Sequence, residues 1–442
     1  MSSHSRVESQ HSWINVLWQT GDNTTPAPKD PHPETLYRPD ILQTIEEAIY
    51  GLRDGLVALS LEIHAHPELG FEEHYAHAAY TKFMKKYGWH VREHHLLDTA
   101  WEATFEHGQR GRVIGVNSEM DALKGIGHAC GHNLIGIAGV AISLGLRAAM
   151  EKYDIPGKII LLGTPAEEGL DGKVVLLEKG AYKGMDVCLM CHPAPGPLGS
   201  VNLGSSLARQ RITVEYKGHA AHAALSPWEG KNALDAVVLA YNNISALRQQ
   251  LKPTHRVHGI IEGTDWEAYT IPENAKLVTY VRAPTRTELQ ETVKRVLRCF
   301  HAASLATGCQ IDIDIFGQTY DLRQNQALGD EVSRIMLNKY GSIDYEWGIN
   351  SASTDFGTVT YNLPALHPSF SIPTIPNGGN HTRQFTEAAA TTQAHEQCLV
   401  ASIALAGTGL RVLTDDDFYA EVSLLAFNPA RLQKVPKRVT LI

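Results

Sequence analysis

The sequence predicts an α/β protein. Its larger part is a mixed β-sheet flanked by helices, and a smaller α+β domain of ferredoxin-like order is inserted in it. Three observations predict this. Between about 89 and 190, apolar β-rich runs alternate with helical periodicity. Polar and ionisable residues collect just past the ends of those runs, where open α/β sheets place their sites. Between 207 and 319 the order becomes strand–helix–strand–strand–helix–strand, the split βαβ pattern.

Residues 1–36 are polar, with Pro26, Pro28, Pro31 and Pro33 near their end, and read as a flexible arm. Helical periodicity starts at Pro39, a first-turn proline, and runs through Leu61. HPELGFEE turns the chain into a second helix over 72–87. Strands are expected at 89–95, 100–106, 112–117, 157–163 and 184–190, and an apolar, small-residue-rich helix at 134–150. In the inserted part, helices are expected at 232–251 and 285–307, with strands near 205–217, 257–262, 276–282 and 310–316. The chain then returns to a helix (325–340), a strand (366–372) and an Ala-rich helix (386–406). Its last 30 residues, with Asp415, Asp416 and Asp417 and a basic end, read as peripheral. The domain reading is therefore an arm at 1–36, a larger domain at 37–206 and 320–442, and a small domain at 207–319.

The 442 residues are 43% apolar and 20% charged, ordinary for a globular protein. The net charge of −9 argues against nucleic acid or an anionic membrane as partner. No stretch is an unbroken membrane span, and the first residues lack a secretory pattern. The six cysteines show no disulfide spacing, which suits a reducing, cytoplasmic setting.

The densest chemistry lies in SEMDALKGIGHACGHNLIG, residues 118–136. Zinc or manganese takes thiolate, imidazole and carboxylate ligands. Cys130 and His132 are two apart on a glycine-flanked loop, so their heads can converge. Glu167 and Glu168 follow a strand, and being adjacent, one can bind metal while the other faces substrate. His192 follows another strand, held by Pro193, and His381 lies in NGGNHT before the last long helix. Each alone is weak: a lone Glu-Glu pair is usually solvated surface, and a lone His after a strand is more often structural. The signal is the combination.

Together with TPAEEG, CHPAP, GHAAHAALSPWEGKNALDA, STDFG and GNHT, that segment resembles the dinuclear metallo-aminoacylase/carboxypeptidase superfamily, in its amidohydrolase branch. It is most similar to the β-alanyl-lysine (Xaa-Arg) dipeptidase group, over about 38–410. The resemblance implies two divalent metals, zinc foremost, with manganese or cobalt as alternatives. It implies that Cys130 bridges them and that His132, Glu168, His192 and His381 complete the shell. Glu167 would be the general base, Asp121 would orient a ligand from behind, and His222 would donate to the tetrahedral oxyanion. The superfamily delivers that histidine from the partner subunit, so a homodimer is expected, with the small domain as lid and interface.

Departures bear on the substrate. The family commonly has Asn before an apolar-Ile-Pro run, where this chain has Tyr269, and the preceding stretch carries Trp266 among acidic residues rather than a Gly-Gly pair. This suits a larger or basic substrate, or is a remodelled surface loop. Tyr269, Trp266, Arg282 and Asn380 are the candidate substrate contacts. Three functions follow in order: hydrolysis of a dipeptide or N-acyl amino acid; the same fold hydrolysing or forming an amide in specialised metabolism; and a non-catalytic binding protein, disfavoured because Glu167 and every ligand are present.

Overall fold

The computed structural model describes residues 35–344 and 351–426. Most of the predicted arm, and the basic end at 427–442, lie outside the described residues. The described chain forms two compact units. The smaller comprises 206–321 and 351–354, and the larger the remainder.

The larger unit is built on a six-stranded sheet. In spatial order its strands are His90–Arg92, Trp101–His107, Gly157–Thr164, Arg112–Glu119, Val187–Leu189 and Ala365–Leu366. Trp101–His107 runs antiparallel to Gly157–Thr164, and the strands from there onward are parallel, so the sheet is mixed. A second sheet orders Ser342–Asp344, Ser200–Asn202, Ser369–Ile372 and His192–Pro195. The single strand expected at 366–372 is split between the two sheets. Pro368 sits at the break, where it can donate no ladder hydrogen bond but accepts one from His192 N–H at 3.0 Å.

The helix His132–Tyr153 is the axis of the core. It packs on the Arg112–Glu119 strand and on the helices Pro39–Gly51, Arg53–Ala65 and Thr392–Thr414. A Cβ at Gly139 would lie 2.4 Å from Ser118 Oγ and 2.6 Å from Asn117 O, so only glycine permits this approach. By length and composition, His132–Tyr153 and Thr392–Thr414 could each cross a bilayer, but 89% and 83% of their apolar windows are buried in the fold. They are core helices.

Three helices differ from expectation. The first divides at Leu52, whose ψ of 0° is not helical. The Ala-rich helix divides into Arg383–Ala389 and Thr392–Thr414, because Thr391 leaves the helical region and caps the second with its hydroxyl. The acidic run after 414, expected to be peripheral, starts a further helix, Asp416–Leu424. Asp415 caps it, and Phe418 and Val422 are buried beneath it.

The smaller unit is a four-stranded antiparallel sheet in the order Gln310–Thr319, Ala208–Lys217, Asn274–Ala283, Arg256–Glu262. Helices Ala233–Leu247 and Arg286–Thr307 pack against it, capped by Asn232 and Thr285. This is the ferredoxin-like arrangement. Where the larger unit's chain is interrupted, the Ser205 hydroxyl donates to the Leu322 carbonyl at 2.5 Å and closes the gap.

Candidate metal centre

Strand ends and helix mouths of the larger unit carry the ligand candidates to one place. Cys130 precedes the His132 helix, and Gly131 between them takes φ +77°, turning thiol and imidazole to the same side. His192 opens its strand, and its Nδ1 lies 2.8 Å from the Pro193 carbonyl. A carbonyl only accepts, so the proton sits on Nδ1 and the Nε2 lone pair is free to coordinate. That atom is 3.3 Å from Cys130 Sγ. His132 Nδ1 is 3.2 Å from Asp121 Oδ1. Asp121 also accepts the backbone N–H groups of Glu167 at 3.1 Å and Glu168 at 2.9 Å, so one carboxylate fixes the imidazole and the Glu-Glu turn together.

His381 has φ +68°, strained for a β-carbon residue, and is held by its N–H to Ala129 O at 2.8 Å. Its Nε2 is 3.2 Å from Glu168 Oε1. The ligand atoms fall into three triads, each within 4.8 Å: Cys130, His132 and His192; Cys130, Glu168 and His381; and His132, Glu167 and Glu168. Two of the triads share the Cys130 sulfur, so this one atom could serve both groups. His132 Nε2 is fully buried and makes no hydrogen bond, an unpaired state that coordination relieves. Thiolate, imidazole and carboxylate donors together suit zinc.

The charges agree with this chemistry. Burial, then the neighbouring Glu168 carboxylate, pushes the Cys130 thiol well up, so without a nearby cation it stays protonated. Burial and the charges of Glu168, Glu119 and Asp355 raise Glu167 well above the carboxylate range. Glu168 is held at about 2 against the pull of burial, by its hydrogen bond to His381 and the charge of His132. Burial lowers His192 to about 4, keeping it neutral and able to ligate.

Asn380 donates its amide to Pro193 O at 3.2 Å and lies 3.9 Å from Cys130 Sγ, so it faces the ligand shell. The other sequence candidates belong to the smaller unit. His222 Nδ1 accepts the N–H groups of Ala224 and Leu225 at 3.2 and 3.1 Å, which places its proton on Nε2 as an outward donor. Tyr269 is 65% exposed, and its carbonyl accepts from Ala223 N–H at 2.9 Å, on the loop that carries His222. Trp266 donates its indole N–H to Asn274 O at 2.9 Å, and its ring covers Gly263, where a Cβ would clash at 2.0 Å. Arg282 donates to Ser353 Oγ at 2.7 Å and to His258 Nε2 at 3.3 Å.

Sequence reasoning gave no role to Glu119, Lys173, Asp355 or Glu73. Lys173 is fully buried and lies 2.7 Å from Glu119 Oε1 and 2.6 Å from Asp355 Oδ1. Glu73, also buried, accepts from Ala166 N–H and Thr99 Oγ1, each at 2.7 Å. The available signal was one lysine opening the apolar run VVLL.

Residues 208–306 match the peptidase dimerisation domain of the M20 family. Over 406 residues the chain is 42% identical to the Xaa-Arg dipeptidase of Mus musculus, covering 88% of this chain and 90% of that protein. The chain belongs to the M20 family of metallopeptidases. The chain is a metal-dependent hydrolase of amide or dipeptide bonds. It is also 27% identical over 459 residues to a p-aminobenzoyl-glutamate hydrolase polypeptide of Escherichia coli, covering 86% of this chain and 94% of that one. Among solved structures, a dinuclear metal-binding M20 peptidase from Bacillus subtilis superposes with a TM-score of 0.63 at 20% identity, over 82% of this chain and 99% of its own. An aminohydrolase from methicillin-resistant Staphylococcus aureus reaches 0.70 at 19% identity, over 84% and 100%. These two likenesses concern the fold.

Proposed function

We propose that this M20 enzyme is a dipeptidase whose substrates end in a basic residue. The observation that carries the metal chemistry is the pair of ligand triads sharing Cys130. The 42% identity to an Xaa-Arg dipeptidase supports the basic end. Two divalent ions, zinc in this reading with manganese or cobalt as alternatives, would be held by Cys130, His132, Glu168, His192 and His381. Bound there, they supply a Lewis acid for the scissile carbonyl and lower the pKa of water.

The chain's own residues do the rest. Glu167 takes a proton from the attacking water and hands it to the leaving amine. Asp121 keeps the proton of His132 on Nδ1 and sets the Glu167–Glu168 turn. His222 of a partner subunit donates Nε2–H to the oxyanion. A homodimer is part of this reading, supported by the match to the dimerisation domain. Ile260 and Ile261 on the edge strand, and Val238, Leu239 and Tyr241 on the adjacent helix, are exposed as such an interface needs. Six unpaired thiols support a cytoplasmic setting.

The altered 262–269 segment, with Trp266 and Tyr269, favours a second reading, an amide hydrolysed or formed on a specialised metabolite. The test is metal analysis of purified protein, followed by a panel of dipeptides and N-acyl amino acids with Glu167→Ala as blank. About two ions per chain and preference for a C-terminal Arg or Lys are expected. Metal-free protein, or rates equal to the blank, would sink the proposal. Turnover confined to bulkier amides would favour the second reading.

A further inference from the structure

Lys173, Glu119 and Asp355 are a buried ionic group that the proposed mechanism does not use. Lys173 lies in the helix Gly172–Glu178 and is 0% exposed, as are Glu119 and Asp355. Asp355 grips the lysine twice: its Oδ2 accepts the Lys173 backbone N–H at 2.8 Å, and its Oδ1 faces Nζ at 2.6 Å. Nζ then reaches Glu119 Oε1 at 2.7 Å. A packed apolar side chain would fill the same space at lower cost, so what lysine supplies is charge and direction.

The direction matters because of what lies beyond. Glu119 ends the strand Arg112–Glu119, and its other oxygen, Oε2, is only 3.2 Å from His132 Nε2. Glu119 thus stands at ion-pair distance from both Lys173 and His132, with the shorter approach on the lysine side, and no hydrogen bond closes on His132 Nε2. A free buried carboxylate at that distance would turn onto the ring nitrogen and bond it. It would then compete with a metal for the one atom through which His132 can ligate, since Asp121 holds the other.

We propose that Lys173 is a positioning residue of the metal centre. Its ammonium ties Glu119 back to Asp355 and so keeps His132 Nε2 open for the metal. The inference rests on the metal-centre reading given under Proposed function.

The test uses the full-length protein with zinc alone as probe, titrated against a chelator. Lys173→Met releases Glu119, and zinc affinity should fall about 10- to 100-fold. Adding Glu119→Gln to it removes the competing charge, and affinity should return to within a few-fold of the parent protein. A merely structural lysine gives the opposite: lower thermal stability, with no rescue of zinc affinity by the second change. Should Lys173→Met alone not fold, the double variant carries the test, and zinc affinity still reduced there overturns the inference. Unaltered zinc affinity in folded Lys173→Met overturns it too. Parent protein that binds no zinc overturns the metal-centre reading as well, which separates the two failures.

Discussion

Glu73 gives the sharpest test of the electrostatics. Its carboxyl is raised from 4.5 to about 7, by burial and then by the charge of Asp121, against hydrogen bonds from Thr99 and Ala166. The folded value exceeds the unfolded one. The stability that Glu73 contributes is therefore complete below about pH 4.5 and is lost as the pH rises through about 7. At about 1.36 kcal/mol per pH unit, the difference amounts to roughly 3 kcal/mol. Glu73→Gln removes the titration, while its amide oxygen can still accept from Ala166 N–H. Urea unfolding of both proteins in metal-free form, from about pH 5 to about pH 8, is the assay. The variant should gain about 2–3 kcal/mol on the parent protein across that range, most of it already by about pH 7. Parallel stability curves would show that Glu73 ionises at its ordinary pH and that burial does not govern it.

Three further outcomes follow from the geometry. Cys130→Ala removes the atom common to two triads, so metal content should fall below about one ion per chain, whereas His381→Ala should keep about one; equal losses would speak against a bridging thiolate. His222→Ala should slow turnover by ~10²–10³-fold with metal content unchanged. Mixing it with Glu167→Gln should restore up to about a quarter of parental activity through mixed dimers, and no restoration would mean that His222 serves its own subunit. Gly139→Ala forces a Cβ into Ser118 Oγ and should cost about 1–3 kcal/mol of stability, read as a lowered Tm.

The longer helices and strands of both units were legible because their patterns are long. The Arg286–Thr307 helix and the four strands of the smaller unit carry clear periodicity between polar turns. The second sheet of the larger unit was not legible. Its strands, such as Ser200–Asn202 and Ser342–Asp344, are three residues long, too short for any alternation to register. The ligand candidates could be read because Cys, His and Glu at strand ends are rare company for one another. Lys173 could not, because a lysine in sequence is read as solvated until folding shows its two carboxylates. Those partners are 54 residues before it and 182 after it in the chain, at Glu119 and Asp355.

The gap closed by Ser205 and Leu322 has a consequence for how the enzyme is made. Ribosomal synthesis delivers Cys130, His132, Glu168 and His192 first, then the whole smaller unit, and only afterwards His381. At ~5–20 residues per second, the interval between His192 and His381 lasts on the order of ten to forty seconds. For that time the nascent chain carries a thiol and two imidazoles without their final companion, while most of the insert, 206–321, emerges between them. The Cys130, His132 and His192 triad is complete in the chain before the insert emerges, and only the triad that needs His381 waits for the last stretch of translation, so the insert stands as a delay between the two.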